Sequence, residues 1–319
     1  MQGALREALR AGLGEDERVL VFGEDVGRLG GVFRVTDGLQ TEFGERRVFD
    51  TPLAEAGIVG LAVGLCIAGW RPVVELQFDG FSYPAFNQVA AQVSRFRTRT
   101  RGQYHLPLTI RIPSYGGISG PELHSESVET FYAHLPGLKV VSPSTPSDAF
   151  TLLVAAIRDQ DPVVFLEPKS RYWSREEFEP VANGGPAYSA RIVRAGRHAT
   201  LLGWGACVER CLEAAEWAAE DGVELEVVDL RWLKPLDVER IVESVSRTGR
   251  AVVVHEAPLT LGLGAEVSAL LMERCFAALK APVARVGGPD MPYPCAVLEE
   301  VYLPSPDRIL LAVQRTLAA

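Results

Sequence analysis

The chain has 319 residues, enough for about two domains at ~150 residues each. Its 47% hydrophobic and 23% charged content excludes a disordered or fibrous protein, and its net charge of -9 excludes the basic footprint that a nucleic-acid partner requires. Cysteines at 66, 207, 211, 275 and 295 are odd in number and lack CxxC spacing, so a zinc site or disulfide framework is not expected and a reducing cytoplasm fits.

In chain order, MQGALREALRAGLGEDERVL reads as an amphipathic helix with early acids and no apolar signal core. The runs VLVFGED, VVELQF, LTIRI, LKVVSP and VVFLEP, rich in Val, Ile and Leu and bounded by Gly, Pro and acids, read as interior strands. Helical stretches lie between them, one after Thr51 and one through PAFNQVAAQVSRF, so strand and helix alternate as in a parallel α/β sheet. Ala56–Trp70 carries no charge but spans only 15 residues, short of the ~20 that cross a bilayer, and reads as a buried helix. Arg95, Arg97, Arg99 and Arg101 alternate through RFRTRTR and read as a solvated basic surface rather than a partner site.

From Tyr172 to about Ala195 the pattern dissolves around Pro180, Gly184, Gly185 and Pro186, as a linker does. A second α/β set follows in ATLLGWG, VERCLEAAEWAAEDG, ELEVVDLRWL, AVVVHEAP, EVSALLMERCFAAL and APVARVGG, placing a domain boundary near residue 190.

Common catalytic motifs fail on inspection. The lysines at 139, 169, 234 and 280 all follow Leu or Pro, which removes a P-loop. A dinucleotide fingerprint begins at Gly262 and Gly264 but meets Val267 at its third glycine. HExxH is absent, and GxSxG around Ser119 fails at Pro121. The histidines at 105, 124, 134, 198 and 255 have no close ligand spacing.

The segment FDTPLAEAGIVGLAVG remains. Thr51 suits a helix cap, Pro52 the first helical position, and Glu55 lies one turn in. A capping box wants Glu or Gln at 54, where Ala54 stands, so Glu55 lacks that structural reason. A lone carboxylate heading an apolar helix is either a dipole partner or a functional acid with a tuned pKa, and spacing alone leaves both open.

TPLAEAGIVG, ELQFDGFSYPAFNQ, GPELHSESVETFYAHLPGLKVVSPSTP, DPVVFLEPK, VVDLRWLKPLD, TGRAVVVHEAPLT and DMPYPCAVLEEVYLP, in that order, closely resemble the β subunits of the pyruvate and branched-chain 2-oxo acid dehydrogenases, over nearly the whole chain. The resemblance implies a two-domain transketolase-like α/β architecture. A parallel-sheet pyrimidine-binding domain would cover 1–175, a linker 176–190 and a smaller C-terminal α/β domain 191–319. It implies that Glu55 hydrogen-bonds the aminopyrimidine of thiamin diphosphate, sharing a proton with the ring so that the cofactor's own nitrogen can take the thiazolium proton. Phe81 matches an aromatic residue stacked on that ring, and Leu53 one lining its pocket. His124 matches a histidine at the active-site mouth that orients the substrate carboxylate or the incoming lipoyl group, with Glu126 in ELHSES where the family commonly has glutamine. Leu108, Ala156, Ile157, Asp159 and Asp161 match positions whose carbonyls bind potassium, with Asp161 where asparagine is frequent.

Family enzymes hold the diphosphate through Mg²⁺ with a GDG segment followed by an asparagine. This chain has no GDG and only Asn87 and Asn183. The resemblance therefore implies an α subunit supplying that half of the site, in an assembly of two α and two β chains. Its reaction would be oxidative decarboxylation of a small 2-oxo acid with acyl transfer to lipoyl-lysine on an acyltransferase core. ELQFDGFSYPAFNQ looks more like the branched-chain subunits. A pyruvate or acetoin dehydrogenase β subunit is the alternative enzyme, and a flavodoxin-like electron-transfer module the alternative from the α/β pattern alone.

Overall fold

The computed structural model describes residues 1–179 and 188–319. They form two compact units. The first takes Met1–Tyr115 and 123–179, the second Gly116–Glu122 and Tyr188–Ala319. Of the expected linker, Pro180, Gly184, Gly185 and Pro186 lie outside the described residues.

In the first unit β1 (Val19–Gly23), β2 (Val48–Asp50), β3 (Arg71–Glu75), β4 (Thr109–Ser114), β5 (Lys139–Val141) and β6 (Val163–Pro168) lie in the order β5-β6-β4-β3-β1-β2. Every pairing among them is parallel, with Val21 opposite Val73 and Val48, and Thr109 opposite Val73 and Val163. β1, β4 and β6 are buried along their whole length, which explains the continuous apolar run of β1 and means that the charges Arg111 in β4 and Glu167 in β6 are buried too. Helix Gln2–Glu15 buries Leu5, Ala8, Leu9, Gly12 and Leu13, one face at helical spacing. At Gly12 an added Cβ would stand 3.1 Å from Ile157 of helix Pro146–Arg158.

Strand order reverses between β1 and β3, the position where open α/β sheets offer a crevice at their carboxyl ends. Glu24 follows β1, Glu55 heads the helix after β2, Phe78 and Phe81 follow β3, and His124 follows β4. One end of one sheet thus gathers these groups from four strands.

Two expectations about the helix after Thr51 are corrected. It runs Glu55–Ile67 with Ala54 at its cap, so Pro52 lies outside it. Thr51 instead gives its N–H to Gly23 O at 2.9 Å, continuing the register of β2 along β1; that keeps Thr51 extended and delays the helix by a turn. The helix is also only half buried. Ile58, Val59, Ala62 and Cys66 face the core, while Gly57, Leu61, Gly64 and Ile67 are exposed or half-exposed. An all-apolar helix has two sides to cover, and this chain covers one. Among the described residues no helix is long and apolar enough to cross a membrane. The basic run is tied down locally: Arg97 pairs with Asp161 at 2.6 Å and Arg99 binds Gln92 and Ala91 O.

The second unit has a five-stranded sheet in the order Ala284–Gly288, Ala251–Pro258, Ala199–Gly203, Leu225–Asp229, Arg191–Arg194. All pairings are parallel except that of Arg191–Arg194 with Leu225–Asp229. Helices Cys207–Glu220 and Pro306–Ala318 pack on one core with Leu201, Val227, Val252 and Val254.

Candidate active site

Glu24 is a strongly perturbed carboxyl at the crevice. Its residue is 3% exposed, and its Oε1 meets no hydrogen-bond partner among the described residues. Burial, then the charges of Glu55, Asp25 and Glu75, push its pKa from 4.5 up to about 7. A carboxyl so placed keeps a proton near neutrality. Glu55, half-buried in the first helical turn, is the largest of the charges acting on it.

Behind Glu24 lies a buried ionic network. Arg111, in the middle of β4, donates Nη1 to Glu75 Oε2 at 2.7 Å, and Nε and Nη2 to the two oxygens of Glu167 at 2.7 and 3.0 Å. The Tyr172 hydroxyl donates to Glu167 at 2.6 Å. Burial pushes Glu75 up and Arg111 draws it back, and two carboxylates on one guanidinium keep Arg111 charged. The bidentate geometry is the form in which a buried charge is tolerated.

A second buried pair shapes the aromatic side of the crevice. Lys169 Nζ meets Asp79 Oδ2 at 2.5 Å, and Asp79 Oδ1 accepts the Gly80 N–H at 2.9 Å. This fixes the short turn Gly80–Ser82 that carries Phe81. A Cβ on Gly80 would stand 2.3 Å from Leu123 O, so the loop before His124 lies directly on the turn. The His124 ring consequently sits against Phe78 at 4.4 Å and Phe81 at 4.9 Å, the latter edge-on. Burial and then the Glu126 carboxylate push the Tyr83 hydroxyl up.

The expected residues are therefore distributed unevenly. Phe81 and His124 form one aromatic cluster, and the charge of Glu55 acts repulsively on Glu24. Leu53, at 82% exposure, stands on the surface of this chain rather than in a pocket of it. At the expected potassium positions, Arg71 Nη1 donates to the carbonyls of Ile157 and Asp159 at 3.0 Å each. Leu108 O accepts from Val163 N, Ala156 O accepts from Asp159 N, and the Asp161 carboxylate pairs with Arg97 and Lys139. A guanidinium thus supplies positive charge to two of the five carbonyls, and no chemistry is routed through a metal there.

Sequence reasoning passed over Glu24 and the Arg111 network. Their signal was a charge inside or directly ending an apolar strand run: VLVFGE, RPVVE, TIRIP and VVFLEP.

Residues 1–174 match the family described as transketolase, pyrimidine binding domain, and residues 189–309 that described as transketolase, C-terminal domain. The chain is 52% identical over 318 residues to the pyruvate dehydrogenase E1 component subunit beta of Leifsonia xyli subsp. xyli, covering 100% of this chain and 94% of the relative. It is 51% identical to the 3-methyl-2-oxobutanoate dehydrogenase subunit beta of Mycobacterium tuberculosis, covering 99% and 91%. With the Bacillus subtilis pyruvate dehydrogenase E1 component subunit beta it shares 49% identity over 98% and 97% of the two chains. Among solved structures a split gene transketolase, an inactive β4 tetramer, superposes with a TM-score of 0.82 at 24% identity over 99% of this chain and 97% of that one, a likeness of fold. The chain belongs to the transketolase-like family of 2-oxo acid dehydrogenase β subunits, with the pyrimidine-binding and C-terminal domains of that family in one polypeptide.

Proposed function

We propose that this chain is the β subunit of a thiamin-diphosphate-dependent 2-oxo acid dehydrogenase acting on a branched-chain 2-oxo acid, and that Glu55 receives the aminopyrimidine end of the cofactor. The observation that carries this is the orphaned, proton-holding carboxyl of Glu24 beside Glu55 at the reversal point of the sheet. A ring with alternating donors and acceptors is the kind of group such a pair accommodates. When bound, the cofactor supplies the nucleophilic carbon that takes up the 2-oxo group and the electron sink for loss of carbon dioxide. Glu55 accepts or returns a proton at its carboxylate, and Glu24, raised to about 7, holds its proton part of the time near neutrality and so lessens the negative charge in the same space. Phe81 offers a ring face or edge to the pyrimidine, and His124, held by Phe78 and Phe81, orients the substrate carboxylate or the lipoyl group.

The diphosphate and Mg²⁺ belong to an α subunit, in an assembly of two α and two β chains. The uncovered face of helix Glu55–Ile67 and the exposed Leu53 beside Glu55 support a second polypeptide at this edge. Residues 1–175 serve as the pyrimidine-binding domain and 191–319 as the C-terminal domain, joined by 176–190. A lipoyl domain of an acyltransferase core receives the acyl group, and five cysteines outside any disulfide suit a cytoplasmic location. Pyruvate is the second substrate reading, since relatives named for pyruvate and for 3-methyl-2-oxobutanoate are almost equally similar.

The test is reconstitution with the α subunit, thiamin diphosphate and Mg²⁺, followed by acceptor-dye reduction with 2-oxoisovalerate and with pyruvate. Turnover with 2-oxoisovalerate is expected to exceed that with pyruvate, and Glu55→Gln to lose roughly 10²- to 10³-fold in kcat. A fully active Glu55→Gln enzyme refutes the assignment of Glu55.

A further inference from the structure

Three arginines of the second unit line one cavity. It has a volume of about 170 Å³ and lies where the edge strand Ala284–Gly288 meets helix Pro306–Ala318. Arg285 comes from the strand. Arg308 and Arg315, seven residues apart, come from one face of the helix together with Leu311. Arg308 is half-buried, and Arg285 and Arg315 are exposed.

The positive charge of this cluster is not answered within the chain. Arg308 meets only carbonyls: its Nη1 donates to Tyr302 O and Leu303 O at 3.0 Å each, and its Nη2 to Gly287 O. Arg285 Nη1 donates to Leu259 O at 2.9 Å. Among the described residues no carboxylate pairs with Arg285, Arg308 or Arg315, and the acids nearest in sequence, Asp290, Glu300 and Asp307, stand exposed. Two buried acids of the unit are engaged elsewhere. Glu256 accepts the Gly116 N–H at 2.7 Å; Glu299 accepts the N–H groups of Gly117 and Ser119 at 2.7 and 2.8 Å and the Tyr293 hydroxyl at 2.5 Å.

For a chain of net charge -9 the arrangement is unusual. Arg111 holds two carboxylates. Burial lowers Arg47, Arg71 and Arg308 alike, but Asp16 draws the first two back, and no carboxylate does so for Arg308. The charge of Arg285 is felt inside the unit, where burial and then this guanidinium hold His255 down at about 4. A carbonyl carries only a partial charge, so three whole cations converge on a space that no side-chain anion fills.

The size and charge of the cavity select its ligand. It is smaller than the ~300 Å³ at which sites for whole drug-sized molecules begin, and so suits one anionic group. Guanidinium forks match the paired oxygens of a phosphate, and three positive charges favour a dianion over a singly charged carboxylate. We propose that Arg285, Arg308 and Arg315 form a binding site for phosphate, either as the free ion or as the phosphate group of a small molecule. The site lies wholly in the C-terminal domain and is independent of the roles given to Glu55 and His124.

The experiment uses the α-paired holoenzyme with thiamin diphosphate and Mg²⁺ bound, so that the cofactor's own phosphate site is filled. Inorganic phosphate, a simple alkyl phosphate and isobutyrate are titrated by calorimetry at an ionic strength held constant with potassium chloride. Phosphate is expected to bind once per β chain with a Kd on the order of 1 mM or tighter. Arg285→Ala and Arg315→Ala are each expected to weaken it about tenfold while keeping the phosphate-free thermal midpoint, because both side chains are exposed. Arg308→Lys keeps the charge but loses the fork, and is expected to weaken binding by roughly fivefold. Binding of inorganic phosphate alone assigns the site to the free ion, and binding of the alkyl phosphate as well assigns it to a phosphate monoester. Absence of phosphate binding, a Kd unmoved by Arg285→Ala and Arg315→Ala, or isobutyrate held as tightly as phosphate overturns the proposal. Should Arg308→Lys fail to assemble, the two exposed arginines decide the matter between them.

Discussion

Replacing Glu24 by glutamine removes one ionisable group from the crevice while keeping its shape. In the folded protein its pKa is raised to about 7 from an ordinary value of 4.5, because of burial first and then Glu55, Asp25 and Glu75. Since the folded-state pKa lies above the unfolded one, the neutral acid is fully compatible with the fold below pH ~4.5, and stability is lost as pH rises towards and through 7. At about 1.4 kcal/mol per decade the full penalty is roughly 3 kcal/mol, and solvent screening at the open side of the crevice discounts it to about 1–2 kcal/mol. Glu24→Gln escapes this penalty. The assay is the thermal midpoint of the cofactor-free α-paired protein, wild type against Glu24→Gln, from pH 5 to 8. The variant is expected to gain on the wild type by several degrees at pH 8 and to show little difference at pH 5, at about 2–4 °C per kcal/mol for a domain of this size. Parallel curves at all pH values would refute the reasoning, since they would mean that Glu24 titrates alike in the folded and unfolded states.

Arg111→Leu leaves Glu75 and Glu167 facing each other without their common cation, and about 3–5 kcal/mol of stability is expected to go, measured by urea unfolding; adding Glu75→Gln should restore part of it. Gly80→Ala places a methyl 2.3 Å from Leu123 O and is expected to lower kcat about tenfold or more through displaced His124 while leaving the secondary-structure spectrum unchanged. Exchanging potassium for choline in the buffer is expected to leave the thermal midpoint unchanged, because Arg71 already occupies the carbonyls of Ile157 and Asp159; a rise of several degrees with potassium would restore a metal site there.

Both α/β sets were readable because strands buried on two faces must be apolar without interruption, as VLVFG and AVVVHEAP are over most of their length. Local chemistry was less legible. Thr51 and Pro52 have good helix-starting character, but a backbone bond to Gly23, a partner in another strand, overrides it. Arg111 within TIRIPS is an anomaly until Glu75 and Glu167 arrive from neighbouring strands in register, Glu75 directly opposite it. Leu53 illustrates the opposite limit: an apolar letter beside Glu55 reads as pocket lining, and the folded chain leaves it 82% exposed. Nothing near GGISGPE announces that carboxylates at 256 and 299, more than a hundred residues away, will hold it.

That long-range attachment bears on how such subunits can be recombined. A fragment stopping near residue 180 would keep Gly117 and Ser119 but leave Glu299 behind, so their amides would turn to water. Exchanging C-terminal halves between homologous subunits is consequently not a neutral graft at the junction: the donor half must bring its own acids at 256 and 299 and a hydroxyl at 293, or the recipient's glycine-rich loop loses its template.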